Sequence, residues 1–330
     1  MNESTPFDRA SLPAKPQGEG WVRVFAPASI ANLGPGFDVL GVALEGLGDV
    51  IDARRSETPG VAITGISGEA GTIPQDPAKN CAGRSAESVL RLLKGKAAKV
   101  AGIEMRLHKG LPQGSGLGSS AASAVGGAVA AHLLYGSPLG SNVLLEAALE
   151  GETLASGGRH ADNLAASLLG GFTIVRSHDP LDVIRLEIPS AIRFVVVLPA
   201  MEIETRYART LIPAVVPLQD AVANWANVAA LVAAVARGDA ADMGRAVADR
   251  IIEPVRSKLI PGFAEVKKSA LDAGAHGCSI SGAGPAMFAI ASAANAERVA
   301  LAMHAAFQRH GLATRHHVCP PDNRGARRLD

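Results

Sequence analysis

The feature that most constrains this chain is a glycine-rich segment at residues 111–122, LPQGSGLGSSAA. An alternating stretch at 103–108 predicts a strand that runs into it, and small residues at 119–135 predict a helix that leaves it. Glycines let consecutive backbone N–H groups turn toward one point, and a helix start adds unpaired donors and a positive dipole end. Such a bend predicts a binding site for a chain of phosphates.

Two familiar phosphate-binding patterns do not describe this segment. It lacks the GK[ST] ending of a Walker A loop, and Gly114, Gly116 and Gly118 are each two residues apart, which is not GxGxxG. A dinucleotide-binding fold would need an acidic residue about 20 positions later, where the chain has HLLYG at 132–136. By glycine content alone, a tight turn for close helix packing remains an alternative.

The whole string PxGxGLGSSAA resembles the phosphate-binding loop of the GHMP kinases, which include galactokinase and the homoserine and mevalonate kinases. Two further family motifs follow the family's order, APASIANLGPGFD at 26–38 and SISGAGP at 279–285. The first is similar to that of the homoserine kinases rather than to those of the sugar and mevalonate kinases. The last departs at Ala286, where Ser or Thr is common, so we expect only backbone contacts there. The resemblance covers about residues 22–320.

The resemblance implies a two-domain α+β fold with an N-terminal ribosomal-S5-like domain and a C-terminal ferredoxin-like domain. The residue pattern agrees with α+β, because strands and helices come in runs rather than in regular alternation. We expect a flexible leader, an N-terminal ATP-binding domain, a C-terminal domain and a flexible tail, at 1–20, 21–177, 178–320 and 321–330. The patterns also predict separate strands at 39–44 and 50–54, and one helix over 239–252.

The activity that the resemblance implies is ATP-dependent phosphorylation of the side-chain hydroxyl of L-homoserine to O-phospho-L-homoserine, a step of threonine biosynthesis, with Mg²⁺. The implied ATP contacts are Pro112, Gln113, Gly114, Ser115, Gly116, Leu117, Gly118, Ser119, Ser120, Ala121, Ala122 and, for adenine, Asn80. The implied substrate contacts are Asn32, Asp38, His160, Asp162, Arg209, Arg256 and Gly282. The implied metal ligands are Glu152 and Ser119, and the implied catalytic residues are Glu152, Thr205, Asn163 and Ser119.

The residue types suit these roles. A carboxylate such as Asp38 pairs with an ammonium group, and the planar guanidinium groups of Arg209 and Arg256 fit a carboxylate. A hard dication binds one or two carboxylates, here Glu152, together with phosphate oxygens and water. Taken alone, Asp38 is also a common turn former, and Glu152 is equally typical of a solvated helix.

The implied mechanism has no strong general base. Asn163 stands near the position where mevalonate kinase and galactokinase have a catalytic Asp, and an amide cannot accept the proton. We expect Thr205 near the reacting hydroxyl, which attacks directly and passes its proton to the phosphate late or through water. A loose phosphoryl-transfer transition state tolerates this, because positioning and charge stabilisation carry most of the rate. Arg206 is a weaker candidate for the carboxylate clamp than Arg209.

The composition limits the classes of partner that we expect this chain to bind. The chain has 32 basic and 31 acidic residues and only short basic clusters, so we expect neither nucleic-acid nor membrane binding. The apolar stretch at 121–134 is shorter than the ~20 residues that a bilayer requires. Cys81, Cys278 and Cys319 lack metal-ligand spacing, which fits a cytoplasmic protein. A homodimer stays open, because the alanine-rich helix over 222–236 suits a core or an interface.

Two other functions compete with this one. The first is another GHMP kinase for a small alcohol, against which the motif at 26–38 and the absent base at Asn163 argue. The second is a catalytically silent metabolite-binding homologue, which the presence of Glu152, Asp38 and Arg209 disfavours.

Overall fold

The computed structural model describes residues 16, 18–94, 102–137 and 139–329, which form two β-sheets with helices packed on them. The elements are β1 (Val22–Ala31), β2 (Leu40–Ser56), β3 (Val61–Gly68), α1 (Cys81–Lys94), β4 (Gly102–Lys109), α2 (Ser119–Leu134), α3 (Ser141–Ser156), α4 (Asp162–Leu169), β5 (Phe172–His178), β6 (Leu181–Leu186), β7 (Ile192–Pro199), α5 (Thr205–Thr210), α6 (Leu218–Arg237), α7 (Ala240–Ala246), α8 (Glu253–Arg256), α9 (Phe263–Asp272), β8 (Gly277–Ile280), β9 (Met287–Ser292), α10 (Ala296–Arg309), β10 (Thr314–Cys319) and β11 (Arg327–Leu329).

The first sheet has seven strands in the order β11-β1-β2-β4-β3, with β5 and β6 added at one end of β2. The long strand β2 pairs antiparallel with β1, β4 and β5. β3 and β4 are parallel, because α1 crosses over between them. The position of the segment between β4 and α2 is therefore set by a central strand of the sheet.

Helix α2 lies at the centre of the first half, in contact with β1, β2, α1 and α3. Its small residues allow this close packing. A Cβ on Gly127 would lie 2.2 Å from the carbonyl oxygen of Ala82 in α1, and one on Gly126 would lie 2.6 Å from the Ile51 side chain in β2. The composition of α2 thus fixes the start of the helix against the sheet.

The second sheet has four antiparallel strands in the order β10-β7-β9-β8. With the helices between them, these strands form the split β-α-β arrangement of a ferredoxin-like domain. α9 and α10 cover one face, where Val195 and Val197 of β7 join their core. Phe194 and Val196 point the other way and pack with residues of α6 and α7.

The predicted α+β class with a ferredoxin-like C-terminal half is confirmed by this topology. Several boundaries differ. Apart from Val39, the stretches 39–44 and 50–54 are two parts of the single strand β2, which pairs with β1 on both sides of a register shift, at residues 41–43 and 48–53. The helix predicted over 239–252 ends at Ala246. The helix α4 was not predicted.

The predicted division at 177/178 falls inside β5, and the hairpin of β5 with β6 keeps both strands in the first sheet. The flexible tail predicted at 321–330 is wrong for residues 321–329. β11 pairs with β1 at its edge. The buried Asp322 carboxylate accepts hydrogen bonds from Arg327 and from backbone N–H groups, so its charge is paired inside the fold. Most of the leader predicted at 1–20 lies outside the described residues.

Candidate active site

A cleft of about 740 Å³ lies between the two halves of the chain and brings most of the predicted site residues together. Its lining includes Asn32, Asp38, Asn80, Gln113, Gly114, Ser115, Gly116, Gly118, Ser119, Ser120, Glu152, His160, Asp162, Asn163, Thr205, Arg209, Arg256 and Gly282. Four predicted ATP contacts, all among the described residues, are not part of this lining: Pro112, Leu117, Ala121 and Ala122. The last three have side chains buried in the core, so they shape the bend from within.

We call residues 111–118 the phosphate loop. Gly116 and Gly118 have φ values of +82° and +68°, which only glycine adopts readily. A Cβ on Gly116 would lie 2.5 Å from the carbonyl oxygen of Ser281, and one on Gly118 would lie 2.3 Å from the Ser29 hydroxyl. Glycine is therefore required here both by conformation and by close approach. No side chain caps the N-terminus of α2, whose first residues Ser119 and Ser120 line the cleft, so its first N–H groups remain available to an anion there.

The turn at 281–286 holds the phosphate loop from the second half of the chain. The Ser281 hydroxyl donates to the carbonyl oxygen of Gly116 at 2.7 Å, and the N–H of Ala286 donates to that of Ser115 at 3.1 Å. The expectation that only backbone contacts persist at Ala286 agrees with this geometry. The SISGAGP motif at 279–285 thus packs against the phosphate loop.

A lysine that the sequence analysis missed lies directly beneath the phosphate loop. The Lys109 ammonium is buried, pairs with Asp49 of β2, and donates to the Ser119 carbonyl at 2.9 Å and the Ser123 hydroxyl at 2.7 Å. The Gly110 N–H donates to the same Asp49 carboxylate at 3.1 Å. The sequence shows only a lysine at the end of an alternating strand pattern, which also contains Glu104 and Arg106. The partner of this lysine is identified only by the pairing of β2 with β4, which brings Asp49 next to Lys109.

Glu152 of α3 meets the start of α2. Its carboxylate accepts a hydrogen bond of 3.0 Å from the Ser120 hydroxyl, and burial raises its pKa to about 8. The neighbouring Ser119 hydroxyl donates instead to the Leu111 carbonyl at 2.9 Å. Ser119 was predicted as a metal ligand beside Glu152, but the side chain that the structure brings to Glu152 is that of Ser120. Two consecutive helical residues point about 100° apart, so only one can face α3.

The loop between β1 and β2 presents Asp38 to Arg209 of α5. Two guanidinium nitrogens of Arg209 donate to the two carboxylate oxygens of Asp38 at 3.0 and 2.7 Å. Arg209 also donates to Nδ1 of His160 at 3.1 Å. Burial lowers the pKa of His160, so this ring is neutral near pH 7 and its Nδ1 accepts the bond. Asp38 has φ +59°, a left-handed conformation that the loop imposes.

Asn32 and Arg256 both bind the carbonyl oxygen of Gly282, at 2.9 and 2.8 Å. The Asn32 side-chain oxygen accepts the Asp38 N–H at 3.1 Å. The guanidinium groups of Arg209 and Arg256 lie 5.2 and 5.1 Å from the ring centre of Phe37, so both cations contact the same ring. Two cations and one carboxylate therefore meet at one wall of the cleft.

Asp162 and Asn163 begin α4 and also line the cleft. Burial, and next the charge of Asp38, raise the pKa of Asp162 to about 7. The Asn163 side-chain oxygen accepts a hydrogen bond of 2.8 Å from the Ser29 hydroxyl. Thr205 begins α5 and lines the cleft.

Asn80 also lines the cleft, but its side chain is engaged in α1. Its amide nitrogen donates to the Pro74 carbonyl at 2.9 Å, and its oxygen accepts from the N–H groups of Ala82 and Gly83. Asn80 thus caps α1. Asn is common both at helix caps and in ligand-binding sites, so the local sequence alone does not show which role this residue has.

Comparisons with known proteins agree with this site. Residues 81–171 match the family model for the GHMP kinases N terminal domain, and residues 231–309 match that for the GHMP kinases C terminal. The chain is 44% identical over 316 residues to a homoserine kinase of Chlorobaculum tepidum, covering 92% of this chain and 96% of that one. It is 46% identical over 275 residues to a homoserine kinase of Arabidopsis thaliana, covering 82% and 73%.

Solved structures give the same result. The crystal structure of a homoserine kinase from Cytophaga hutchinsonii superposes with a TM-score of 0.88 at 44% identity, covering 95% of this chain and 99% of that one. A galactokinase from Lactococcus lactis, at 15% identity and a TM-score of 0.66, shares the fold. With both family models matched and relatives above 40% identity along most of its length, the chain belongs to the GHMP kinase family and, within it, to the homoserine kinases.

Proposed function

We propose that this chain transfers the γ-phosphoryl group of ATP to the side-chain hydroxyl of L-homoserine, which yields O-phospho-L-homoserine for threonine biosynthesis. The observation that carries the proposal is the composition of the cleft. A glycine-rich strand-to-helix bend lies at one end, and the Asp38–Arg209 pair lies at the other. The first suits a triphosphate, and the second suits the two opposite charges of an amino acid.

The amino acid head group is the part of the substrate that the wall at Asp38 recognises. An α-ammonium group pairs with Asp38, and an α-carboxylate pairs with Arg209 and Arg256. Asp38 and Arg209 form an ion pair with each other. A bound zwitterion would replace this ion pair with two, one between its ammonium group and Asp38 and one between its carboxylate and Arg209, so that no buried charge is left unpaired. An alcohol without an amino acid head group offers no such exchange, which disfavours mevalonate or a sugar.

The triphosphate binds at the phosphate loop and the α2 N-terminus, where uncapped N–H groups and the helix dipole favour anionic oxygens. Asn80 contributes here through its cap of α1, which positions the residues around the base rather than contacting it with a free amide.

The residues near Ser120 fit a magnesium ion. Among the described residues no group of three metal-binding side chains exists, and Mg²⁺ characteristically uses one or two protein oxygens together with phosphate oxygens and water. Glu152 and Ser120 supply hard oxygen donors next to the loop. The ion would neutralise charge on the β- and γ-phosphates, and we assign its protein ligands to Glu152 and Ser120 in place of the expected Ser119.

The transfer itself depends on positioning. Asn163 and Thr205 both line the cleft, and we assign them to orient the attacking hydroxyl. The Ser29 hydroxyl holds the Asn163 amide in place.

The Asn163 amide and the Thr205 hydroxyl accept no proton near neutral pH. The His160 imidazole is a weak base, because its pKa is lowered and its Nδ1 already accepts a bond from Arg209. We assign Asp162, with a pKa raised to about 7, to the head group of the substrate rather than to its hydroxyl. The hydroxyl proton therefore passes to the phosphate or to water as the loose transition state collapses.

We also propose that the protein acts in the cytoplasm, where ATP is available and free cysteines stay reduced. Cys81, Cys278 and Cys319 are all free thiols, and the last two are buried.

A coupled assay of ADP release tests the substrate assignment. We expect turnover with L-homoserine, and none with mevalonate or galactose, because neither carries the zwitterion that Asp38 and Arg209 recognise. ADP release with mevalonate alone would contradict the proposal, and the absence of release with all of these alcohols would favour a silent metabolite-binding protein.

Arg209→Ala tests the carboxylate clamp. Loss of a charge-assisted bond of about 1.5–3 kcal/mol should raise the KM for L-homoserine by about 10- to 150-fold, with a smaller effect on the KM for ATP. Arg206→Ala is the matched control, since the Arg206 guanidinium donates to the Leu154 carbonyl and is exposed. Equal homoserine KM values in the two variants would remove Arg209 from the clamp.

A pair of serine variants separates Ser120 from Ser119. Ser120→Ala should raise the Mg²⁺ concentration for half-maximal activity by about tenfold, because the loss of one side chain at a metal site typically weakens metal binding by about that factor. Ser119→Ala should instead lower the free energy of unfolding by about 1 kcal/mol through its bond to Leu111. Mg²⁺ titrations of activity and urea unfolding measure both effects. If Ser119→Ala raises the Mg²⁺ concentration for half-maximal activity more than Ser120→Ala does, Ser119 is the metal ligand, as expected from the sequence.

Glu152→Gln should remove turnover and stabilise the Mg²⁺-free protein. The folded-state pKa of Glu152 is raised from 4.5 to about 8, so the folded state holds a proton that the unfolded state releases. Stability of the natural chain relative to the variant should thus fall by about 1.4 kcal/mol for each pH unit between those values. Urea unfolding from pH 5 to 8 measures this trend.

Glu150→Gln is the control for that experiment, on the same helix. Burial alone would raise the pKa of Glu150, but hydrogen bonds from Ser88 and Arg91 outweigh it and lower the pKa, so replacement of Glu150 should cost stability at neutral pH rather than add it. A pH-independent difference between Glu152→Gln and the natural chain would contradict a buried neutral Glu152.

A further inference from the structure

Arg256 is the cation of the cleft wall whose position is least explained by its own helix. Its side chain is 3% exposed, one guanidinium nitrogen donates to the Gly282 carbonyl, and its Nε has no hydrogen-bond partner among the described residues. Helix α8 has only four residues, and so short a helix has little stability of its own. The position of the Arg256 backbone therefore depends on contacts outside α8.

The Asp249 carboxylate holds the N-terminal end of α8. Its two oxygens accept hydrogen bonds from the backbone N–H groups of Ile251, Ile252 and Glu253, at distances of 2.7 to 3.1 Å. A helix start leaves such groups unpaired, and the residue at the N-cap position, Ile252, has no side-chain acceptor. Asp249 thus fixes where α8 begins, and Arg256 follows within the same turn.

Asn224 of α6 fixes Asp249 in turn. The Asn224 amide nitrogen donates to the Asp249 carboxylate at 2.8 Å, and the amide oxygen accepts the N–H of Arg250 at 2.9 Å. Both side chains are buried, at 6% and 9% exposed. Helix α6 is itself anchored, because Leu231 and Val235 lie in the core. The paired bonds of Asn224 therefore tie the loop before α8 to a long, anchored helix.

We call residues 247–252 the clamp loop, because it also contacts the segment 32–38 that carries Asp38. A Cβ on Gly34 would lie 2.0 Å from the Val247 carbonyl oxygen, so the two backbones are in direct contact. Gly34 has φ +80°, so glycine is required there by conformation as well as by space. The clamp loop thus lies against both the Asp38 segment and the helix that carries Arg256.

Asp249 also contributes charge to this wall. Burial, and next the cation Arg209, lower the pKa of Arg256 to about 10. The carboxylates of Asp38, Asp162 and Asp249 act in the opposite direction. Asp38 and Asp162 line the cleft, where an ammonium group reaches them, whereas Asp249 is not part of the lining and its oxygens are occupied by backbone N–H groups. Asp249 therefore supports the cation without competing for the substrate.

We propose that the Asn224–Asp249 pair positions the Arg256 guanidinium for the carboxylate of the amino acid substrate. The pair acts only through the clamp loop and α8, and it contacts no reacting atom. The inference rests on the proposed phosphorylation of homoserine and adds to it two positioning residues that lie outside the sequence motifs.

Asp249→Asn tests the pair, because the amide keeps the size of the side chain but accepts hydrogen bonds at one oxygen instead of two. We expect the KM for L-homoserine to rise about tenfold, the lower end of the cost of a charge-assisted bond, with kcat and the KM for ATP unchanged. Asp322→Asn is the matched control, since Asp322 is a buried carboxylate that accepts backbone N–H bonds but is not part of the cleft lining.

Both variants should unfold at lower urea concentration, so stability alone does not distinguish them, whereas the homoserine KM does. An unchanged homoserine KM in folded Asp249→Asn, or an equal rise in Asp322→Asn, would overturn the proposal.

A double-mutant cycle with Arg256→Gln shows whether the pair acts through Arg256. Values of kcat/KM at low homoserine concentration are comparable even where KM becomes large. Asp249→Asn should lower kcat/KM about tenfold in the natural chain and by less than about twofold in Arg256→Gln, where the side chain that it positions is gone. Equal losses in the two backgrounds would show that Asp249 does not act through Arg256 and would overturn the proposal.

Asn224→Ala keeps the proposal testable if Asp249→Asn fails to fold. This variant leaves the Asp249 carboxylate with its backbone bonds and removes only the link to α6. The homoserine KM should rise by about two- to tenfold, the range for a hydrogen bond between an amide and its partner. An unchanged KM in the folded variant would overturn the role of the pair.

A proton-exchange measurement needs no substrate and so separates this proposal from the proposed function. The Arg256 Nε is buried, so its N–H proton should exchange slowly with water in magnetic resonance spectra of the isotope-labelled natural chain. Exchange should become faster in Asp249→Asn and stay slow in Asp322→Asn. A natural chain that does not turn over homoserine would contradict the proposed function, whereas slow exchange in all three proteins would overturn the positioning of Arg256 by Asp249.

Discussion

The buried ion pair between Lys109 and Asp49 is the contact on which the site depends. Both side chains are almost completely removed from water, and a buried charge that lost its partner would cost several kcal/mol. The Lys109 ammonium joins β4, β2 and the first turn of α2, and Gly110 at the loop entrance binds the same carboxylate. The phosphate loop is therefore held in shape from below before any nucleotide binds.

The second half of the chain holds the same loop from the side. Ser281 binds the carbonyl of Gly116, and Asn32 and Arg256 converge on the carbonyl of the adjacent Gly282. One glycine turn thus contacts both the nucleotide loop and the loop that carries Asp38. In this way the fold fixes the phosphate loop relative to the loop that carries Asp38, the two places that we propose for the triphosphate and the amino acid. Phosphoryl transfer requires such a fixed distance, because positioning supplies most of its rate.

The family resemblance of the motifs predicted which residues share this cleft. Fixed strings of Gly, Asn and Asp mark loops whose conformations need those residues, and the cleft contains Asp38, Glu152 and Arg209 as expected. Roles that depend on the direction in which a side chain points were harder to predict. Ser119 and Ser120 are equivalent in sequence, yet one faces the Leu111 carbonyl and the other faces Glu152. Asn80 has a polar side chain near the nucleotide end, but that side chain caps α1.

The amino-acid sequence by itself determined the phosphate loop, the order of the three motifs, the α+β class and the family, because each depends on residue types at short, fixed spacing. Only the tertiary structure decided that Lys109 meets Asp49, that Ser120 rather than Ser119 meets Glu152, and that residues 327–329 form an edge strand rather than a tail. Those contacts join residues tens to hundreds of positions apart, and their partners are set by strand register and helix rotation, which the packing of the whole chain fixes.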